Sequence, residues 1–156
     1  MAVQALSTAG MVLKYAVEVT AGTRPTTGYV AIPGVKTLPP IGDSVNTIDA
    51  TTLAETVCHR YVIGLADPGG ALQITVNDAP AFRTAYTTMY TAYTTAKAAG
   101  KGFWFEIVNP DANMDSLFIP CEPAKLGFAG AEVDSVLENT LNFVPAGDFV
   151  YATAST

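Results

Sequence analysis

Residues 72–108 read LQITVNDAPAFRTAYTTMYTAYTTAKAAGKGFWFEIV, and the spacing of apolar residues changes within them. Leu72, Ile74 and Val76 alternate with Gln73, Thr75 and Asn77, which is the period of a half-buried strand. From Ala79 to Ala98 the period becomes helical. Phe82, Tyr86, Met89, Tyr93 and Ala96 form one stripe, and Arg83, Thr84, Thr87, Thr91 and Thr94 fall largely off it. Asn77 or Asp78 is placed to cap the start, Pro80 lies in the first turn, and Gly100 closes the end. After the helix a further strand is expected over Phe103 to Val108. The β-branched threonines are poor helix formers, so this helix must be held by packing Phe82, Tyr86, Met89 and Tyr93 against a sheet.

Strand signals continue on both sides of this stretch. In residues 11–20, Met11, Leu13, Tyr15, Val17 and Val19 face one way while Lys14, Glu18 and Thr20 face the other. Residues 21–35 are turn chemistry, with Arg24-Pro25 and Pro33-Gly34 around a short Tyr29-Val30-Ala31-Ile32 piece. From Lys36 to Arg60 the periodicity fails, and Pro39-Pro40 breaks any continuous element. This predicts a long excursion with short strands near Ser44 to Ile48 and Thr56 to Ile63. Asp67-Pro68-Gly69-Gly70 is a strong turn. On the C-terminal side, strands are expected at Ser116 to Cys121, briefly at Lys125 to Ala129, and over a long Val133 to Val144. In the last, Val133, Ser135, Leu137, Leu141 and Phe143 oppose Glu132, Asp134, Glu138, Thr140 and Asn142. Asn109-Pro110-Asp111 and Pro145-Ala146-Gly147-Asp148 read as turns. Strands with one helix among them and no βαβ rhythm predict a mainly β fold: an antiparallel β-sandwich or partly closed barrel with one flanking α-helix.

The 156 residues fit a single domain, 1–156, able to bury about 70% of its unfolded surface. Hydrophobic residues make up 49% and mean hydropathy is +0.29, which excludes disorder. Two cysteines are too few for a disulfide framework. The opening MAVQALSTAG lacks the basic and apolar regions of an export signal, and nothing approaches the roughly 20 continuous apolar residues of a membrane span. The expected compartment is a reducing cytosol. A net charge of −6 argues against a protein that grips nucleic acid through its phosphates. Charged residues are only 14%, against about 25% in a typical domain, and the Ala and Thr that replace them leave a surface cheap to desolvate against other protein. A Thr-rich solvent face is the plainer alternative.

Catalytic and metal-binding arrangements find little support. His59 is the single histidine, and in an extended Cys58-His59 segment the two side chains point to opposite faces, with a buried Cys58 beside an exposed His59 the simplest arrangement. Gly100-Lys101-Gly102 lacks the spacing and the Ser/Thr of a phosphate loop. On one strand Asp134 and Glu138 stand about 13 Å apart, beyond the roughly 5 to 9.5 Å of paired glycosidase carboxylates. Trp104 and nearby tyrosines could stack on a sugar, which keeps a small carbohydrate-binding β-sandwich as an alternative, although aromatics beside an aromatic helix more often belong to the core. No catalytic residue, metal or cofactor is expected.

Several segments in order carry a resemblance: Ser7-Thr8-Ala9-Gly10 before Lys14-Tyr15-Ala16-Val17; Pro33-Gly34-Val35; Asn46-Thr47-Ile48-Asp49-Ala50-Thr51-Thr52-Leu53; Gly64-Leu65-Ala66-Asp67-Pro68-Gly69-Gly70; Gly130-Ala131-Glu132-Val133-Asp134-Ser135-Val136; and Pro145-Ala146-Gly147-Asp148. Over nearly the whole chain this order resembles the major tail tube proteins of long-tailed, non-contractile bacteriophages. The resemblance implies a β-sandwich with a flanking helix, homohexameric rings stacked into a hollow tube, and passage of double-stranded DNA through it. It implies a virion tail location after assembly in the host cytoplasm, and as partners the chain itself, a tape measure protein, and tail initiation and termination proteins. A hexameric tube protein of a contractile secretion system is the related alternative.

Two sets of residues follow as candidates. Asp134, Glu138, Thr140 and Asn142 are expected to face the lumen, where acidic and polar groups do not hold DNA; an outer solvated face is the alternative, because alternation does not say which solvent a face meets. In the assembly loop at about 36–60, Ile48, Asp49, Thr51 and Leu53 are expected to contact another ring or subunit. The loop is expected to be mobile before assembly and ordered after it, against a β-hairpin already folded in the free chain.

Overall fold

The computed structural model describes residues 5–156. Residues 1–4 of the opening read for an export signal lie outside them. The elements are β1 (Val12–Val17), β2 (Val30–Ala31), β3 (Val35–Thr37), β4 (Ser44–Asp49), β5 (Tyr61–Asp67), β6 (Leu72–Asn77), α1 (Pro80–Ala98), β7 (Phe103–Val108), β8 (Ser116–Pro123), β9 (Glu138–Pro145) and β10 (Val150–Ala152). Eight strands form one curled antiparallel sheet in the order β2-β1-β7-β8-β9-β6-β3, with β10 also on β8, while β4 and β5 form a separate two-stranded sheet. The fold is therefore mainly β, a half-barrel with one helix.

Strand β8 joins the two halves of the curl. On one side Leu117 to Pro120 pairs with β7. On the other, Ser116 to Phe118 pairs with β10 and Cys121 to Pro123 with β9. Helix α1 lies in the concavity against β1, β7 and β8. The core it closes contains Leu13, Tyr15, Ile74, Val76, Phe103, Phe105, Ile119, Leu141 and Phe143, with Phe82, Met89 and Tyr93 from the helix. Each such side chain contributes about 1.5–3 kcal/mol on leaving water.

The helix begins without either expected cap. Ala79 is the N-cap and makes no side-chain bond, and Asp78 instead pairs with Arg83 in the first turn. The C-terminus is as expected: Gly100 at φ +69° lets Lys101 N–H reach Ala96 O at 2.9 Å and Gly100 N–H reach Lys97 O at 3.1 Å. The exposed threonines turn their hydroxyls back on the helix, as Thr87 does to Arg83 O and Thr91 to Thr87 O, both at 2.9 Å.

Four expectations are corrected. β1 ends at Val17; Val19 is exposed and Glu18 is buried, because the chain turns there and Glu18 binds backbone N–H groups. Residues 125–129 form no strand. The long strand starts at Glu138 rather than Val133, since Asp134 takes φ +61° and breaks the extended backbone. In the excursion, the second strand runs from Tyr61 to Asp67 rather than from Thr56 to Ile63, and pairs with β4 as a hairpin.

Candidate functional site

Two surfaces concentrate the candidate residues: the β4–β5 arm and the polar face of β6 and β9. The arm is zipped by Ser44↔Asp67, Val45↔Ala66, Thr47↔Ile63, Ile48↔Val62 and Asp49↔Tyr61, with a bulge after Val45. Its strands pair only with each other among the described residues. No residue of 43–67 is buried. Val45, Ile48, Leu53, Val57, Tyr61, Val62, Ile63 and Leu65 all stand open to solvent.

Although exposed, the tip of the arm is locally bonded. The Asp49 carboxylate accepts from Thr51 N–H at 2.9 Å and from the Thr51 hydroxyl, which holds it below the usual carboxylate range. Thr51 Oγ1 in turn accepts from Arg60 N–H at 3.0 Å and stands 3.2 Å from His59 Nδ1. Glu55 accepts from Thr52 N–H and from its hydroxyl and pairs with the Arg60 guanidinium at 3.1 Å. Of the sequence candidates, Asp49 and Thr51 thus share this lock. Ile48 faces Val62 across the strands, with its Cδ1 over Gly64, and Leu53 at the tip is fully exposed. Cys58 is exposed beside His59, contrary to the expected burial, because the segment lies in the tip and not in a packed strand.

The arm's second strand was hidden in the sequence. Tyr61-Val62-Ile63-Gly64-Leu65-Ala66 is a continuous apolar run, so alternation gives no sign of it. Its length and β-branched residues were the available signal.

On β9, Glu138, Thr140 and Asn142 share the face turned away from the core, opposite Asn77, Thr75 and Gln73 of β6. Asp134 is not among them; it lies in the connecting segment at a left-handed φ. Glu138 pairs with Lys36. The strand face is therefore polar with its one carboxylate paired, and Glu132 of the connecting segment borders it beside Thr75 and Thr140.

Helix packing follows the expected stripe with one difference. Phe82, Met89 and Tyr93 are buried, whereas Tyr86 is half-buried and its phenol oxygen accepts Leu126 N–H at 2.7 Å, anchoring the segment before β9. That segment leaves Phe128, Val133 and Val136 exposed. Lys97 ties the helix end to β8 through Glu122 at 2.7 Å. Trp104 and the tyrosines do not form a common sugar platform. The indole N–H of Trp104 is committed to Glu18 at 2.8 Å, and Tyr15 and Tyr93 lie in the core, reached from the opposite face of β7. No group of residues suited to a metal ion occurs among the described residues.

The fold and this surface define a class: a helix-filled half-barrel that displays an unburied hairpin arm. Solved structures resemble it in fold. A chain of the anti-feeding prophage baseplate, 6-fold symmetrised, matches with a TM-score of 0.61 and 13% identity, covering 100% of both chains. A chain from the tail of an empty gene transfer agent particle, refined with helical and C6 symmetry, matches at 0.58 and 16% identity, over 96% of this chain and 100% of that one. A chain from the virion of the native gene transfer agent particle gives 0.56 and 15%, with the same coverage. At these identities the likeness is one of fold. Neither protein-family models nor curated proteins give a sequence match.

Proposed function

We propose that the chain is a non-catalytic structural subunit of a phage-type tail, forming hexameric rings that stack into a tube for DNA. The observation that carries this reading is the arm: eight large apolar side chains displayed on a hairpin that buries none of them. Isolated domains rarely expose so much contiguous apolar surface without a partner for it. The fold supports the same reading, since the matched chains come from a six-fold symmetrised baseplate, a tail of C6 symmetry and a virion. In this reading the tube belongs to the virion tail, is assembled in the host cytoplasm, and meets a tape measure protein and the tail initiation and termination proteins.

The polar face of β6 and β9 is the lumen surface in this proposal. A conduit must not hold its cargo, and Gln73, Thr75, Thr140 and Asn142 offer no cation to phosphate. Lys36 is neutralised by Glu138.

The test is sedimentation velocity with negative-stain microscopy over a concentration series. Rings and tubes are expected. A 16.3 kDa particle at every concentration and salt, with and without a tail initiation complex, would refute the proposal.

A further inference from the structure

We propose that β10 and the residues after it are a releasable strap: closed, they lie over β8 and the buried carboxylate of Glu106, and when they lift, Glu106 passes from Ser155 to Lys14 and Arg24. This device belongs to the free subunit and does not depend on the tube reading.

Glu106 carries the argument. Phe103, Phe105 and Ile107 of β7 face the core, so alternation turns Glu106 to the other side of the sheet, where it is 0% exposed. Its Oε1 accepts Ser155 N–H at 2.9 Å and its Oε2 accepts the Ser155 hydroxyl. Both donors thus come from one residue of the strap. No ion pair among the described residues includes Glu106. A carboxylate kept from water needs such partners, and loss of Ser155 alone would leave its charge uncompensated.

The same face holds a second set of partners. Lys14 of β1 is directly across from Glu106, and opposite residues share a face with Cβ atoms about 5 Å apart. On the other side Phe118 of β8 is opposite Glu106, and the Arg24 guanidinium lies over its ring, 4.3 Å from the centroid. Both cations are half-buried, and neither pairs with a carboxylate among the described residues. Tyr29, edge-on to Phe118, feels both charges. Burial pushes its phenol up to about 12, with Arg24 drawing it down and Glu106 adding to the rise. An element moves between two arrangements when each one satisfies the buried charge, and here Lys14 and Arg24 stand ready to replace Ser155.

The strap itself is lightly held. β10 has three residues, pairs with β8 alone among the described residues, and leaves Val150 and Tyr151 44% and 61% exposed. Opposite its Ala152, the Ser116 hydroxyl is buried without a hydrogen-bond partner. An unsatisfied buried hydroxyl works against closure. Lifting the strap would return it to water and open the β8 edge from Ser116 to Phe118.

Hydrogen exchange of the full chain, read by mass spectrometry on the peptide covering residues 149–156, tests the strap. In the native subunit this peptide is expected to exchange roughly a hundredfold faster than Phe103–Val108, through an opening that leaves the rest of the sheet closed. Ser155→Ala should speed it about tenfold further. Lys14→Met with Arg24→Met should slow it about tenfold, because the lifted state then lacks partners for Glu106. A tail that merely frays would not respond to those two residues. Exchange of the peptide in step with β7 in the unaltered chain would overturn the strap, and that measurement needs no variant to fold. Unchanged or faster exchange in the double variant would overturn it as well, since the hand-over of Glu106 would then be absent.

Discussion

Glu18 shows how a single buried carboxylate fixes several loops. Gly22 N–H and Gly102 N–H each donate to its Oε2 at 2.8 Å, and Trp104 Nε1–H donates to Oε1. Burial pushes its carboxyl up, but the three donors outweigh that and hold it below the usual range. Its folded value thus lies below the unfolded one of about 4.3, so its stabilisation is present above that pH and is lost as pH falls through the folded value. Glu18→Gln should lower thermal stability at pH 7 and flatten the acid loss below about pH 4; parallel melting curves for the two proteins between pH 7 and 3 would show the assignment to be wrong. At Gly102 a Cβ would stand 2.6 Å from Glu18 Oε1. Gly102→Ala is therefore expected to cost about 2 kcal/mol or more in denaturant unfolding.

The two thiols make a second residue-scale contrast. Burial pushes the Cys121 thiol up to about 12, while Cys58 stands exposed on the arm. A disulfide reagent at pH 8 should modify Cys58 rapidly in the native subunit and Cys121 only after unfolding. Rapid modification of both in the folded chain would contradict the packing described around β8.

At the scale of elements, the helix is stable through what it packs on rather than through its composition. Thr84 and Thr94 are exposed, with their hydroxyls bonded back to the helix. Thr84→Ala and Thr94→Ala should each raise subunit stability by about 0.5 kcal/mol in urea titrations. The arm is the opposite case, since an isolated two-stranded hairpin is marginal in water. Its amides should exchange quickly in the free subunit and slowly in the polymer, with the body of the sheet protected in both; an arm equally protected in both states would remove its role in assembly. The elements legible in the sequence were those with one clean period. β6 and α1 each bury a single face, so Leu72, Ile74 and Val76, or Phe82, Met89 and Tyr93, declare themselves. β5 was misplaced because the run from Tyr61 to Ala66 is apolar on both faces, and alternation disappears when neither face is polar. Residues 133–137 imitate alternation, but the left-handed Asp134 has no signature in the hydrophobic pattern. Of the candidate site, Ile48, Asp49, Thr51 and Leu53 were placed in one exposed segment, whereas the Glu55–Arg60 lock depends on an approach across the hairpin that spacing does not reveal.

At the scale of the whole molecule, the half-barrel supplies one polar face and the arm one adhesive element, and the proposed tube uses both. The polar face can be tested independently of assembly. Thr140→Lys with Asn142→Lys should leave tubes intact yet confer affinity for duplex DNA whose logarithm falls with log salt by about 0.9 for each phosphate paired. The central claim, that the chain polymerises through its arm with the β6 and β9 face inward, is met most directly by a helical reconstruction of the polymer by cryo-electron microscopy. The account predicts six subunits per ring, arm density enclosed between neighbouring copies, and Thr75, Thr140 and Asn142 lining the channel. A polymer whose arms project freely into solvent, or whose channel is lined by another face, would contradict it.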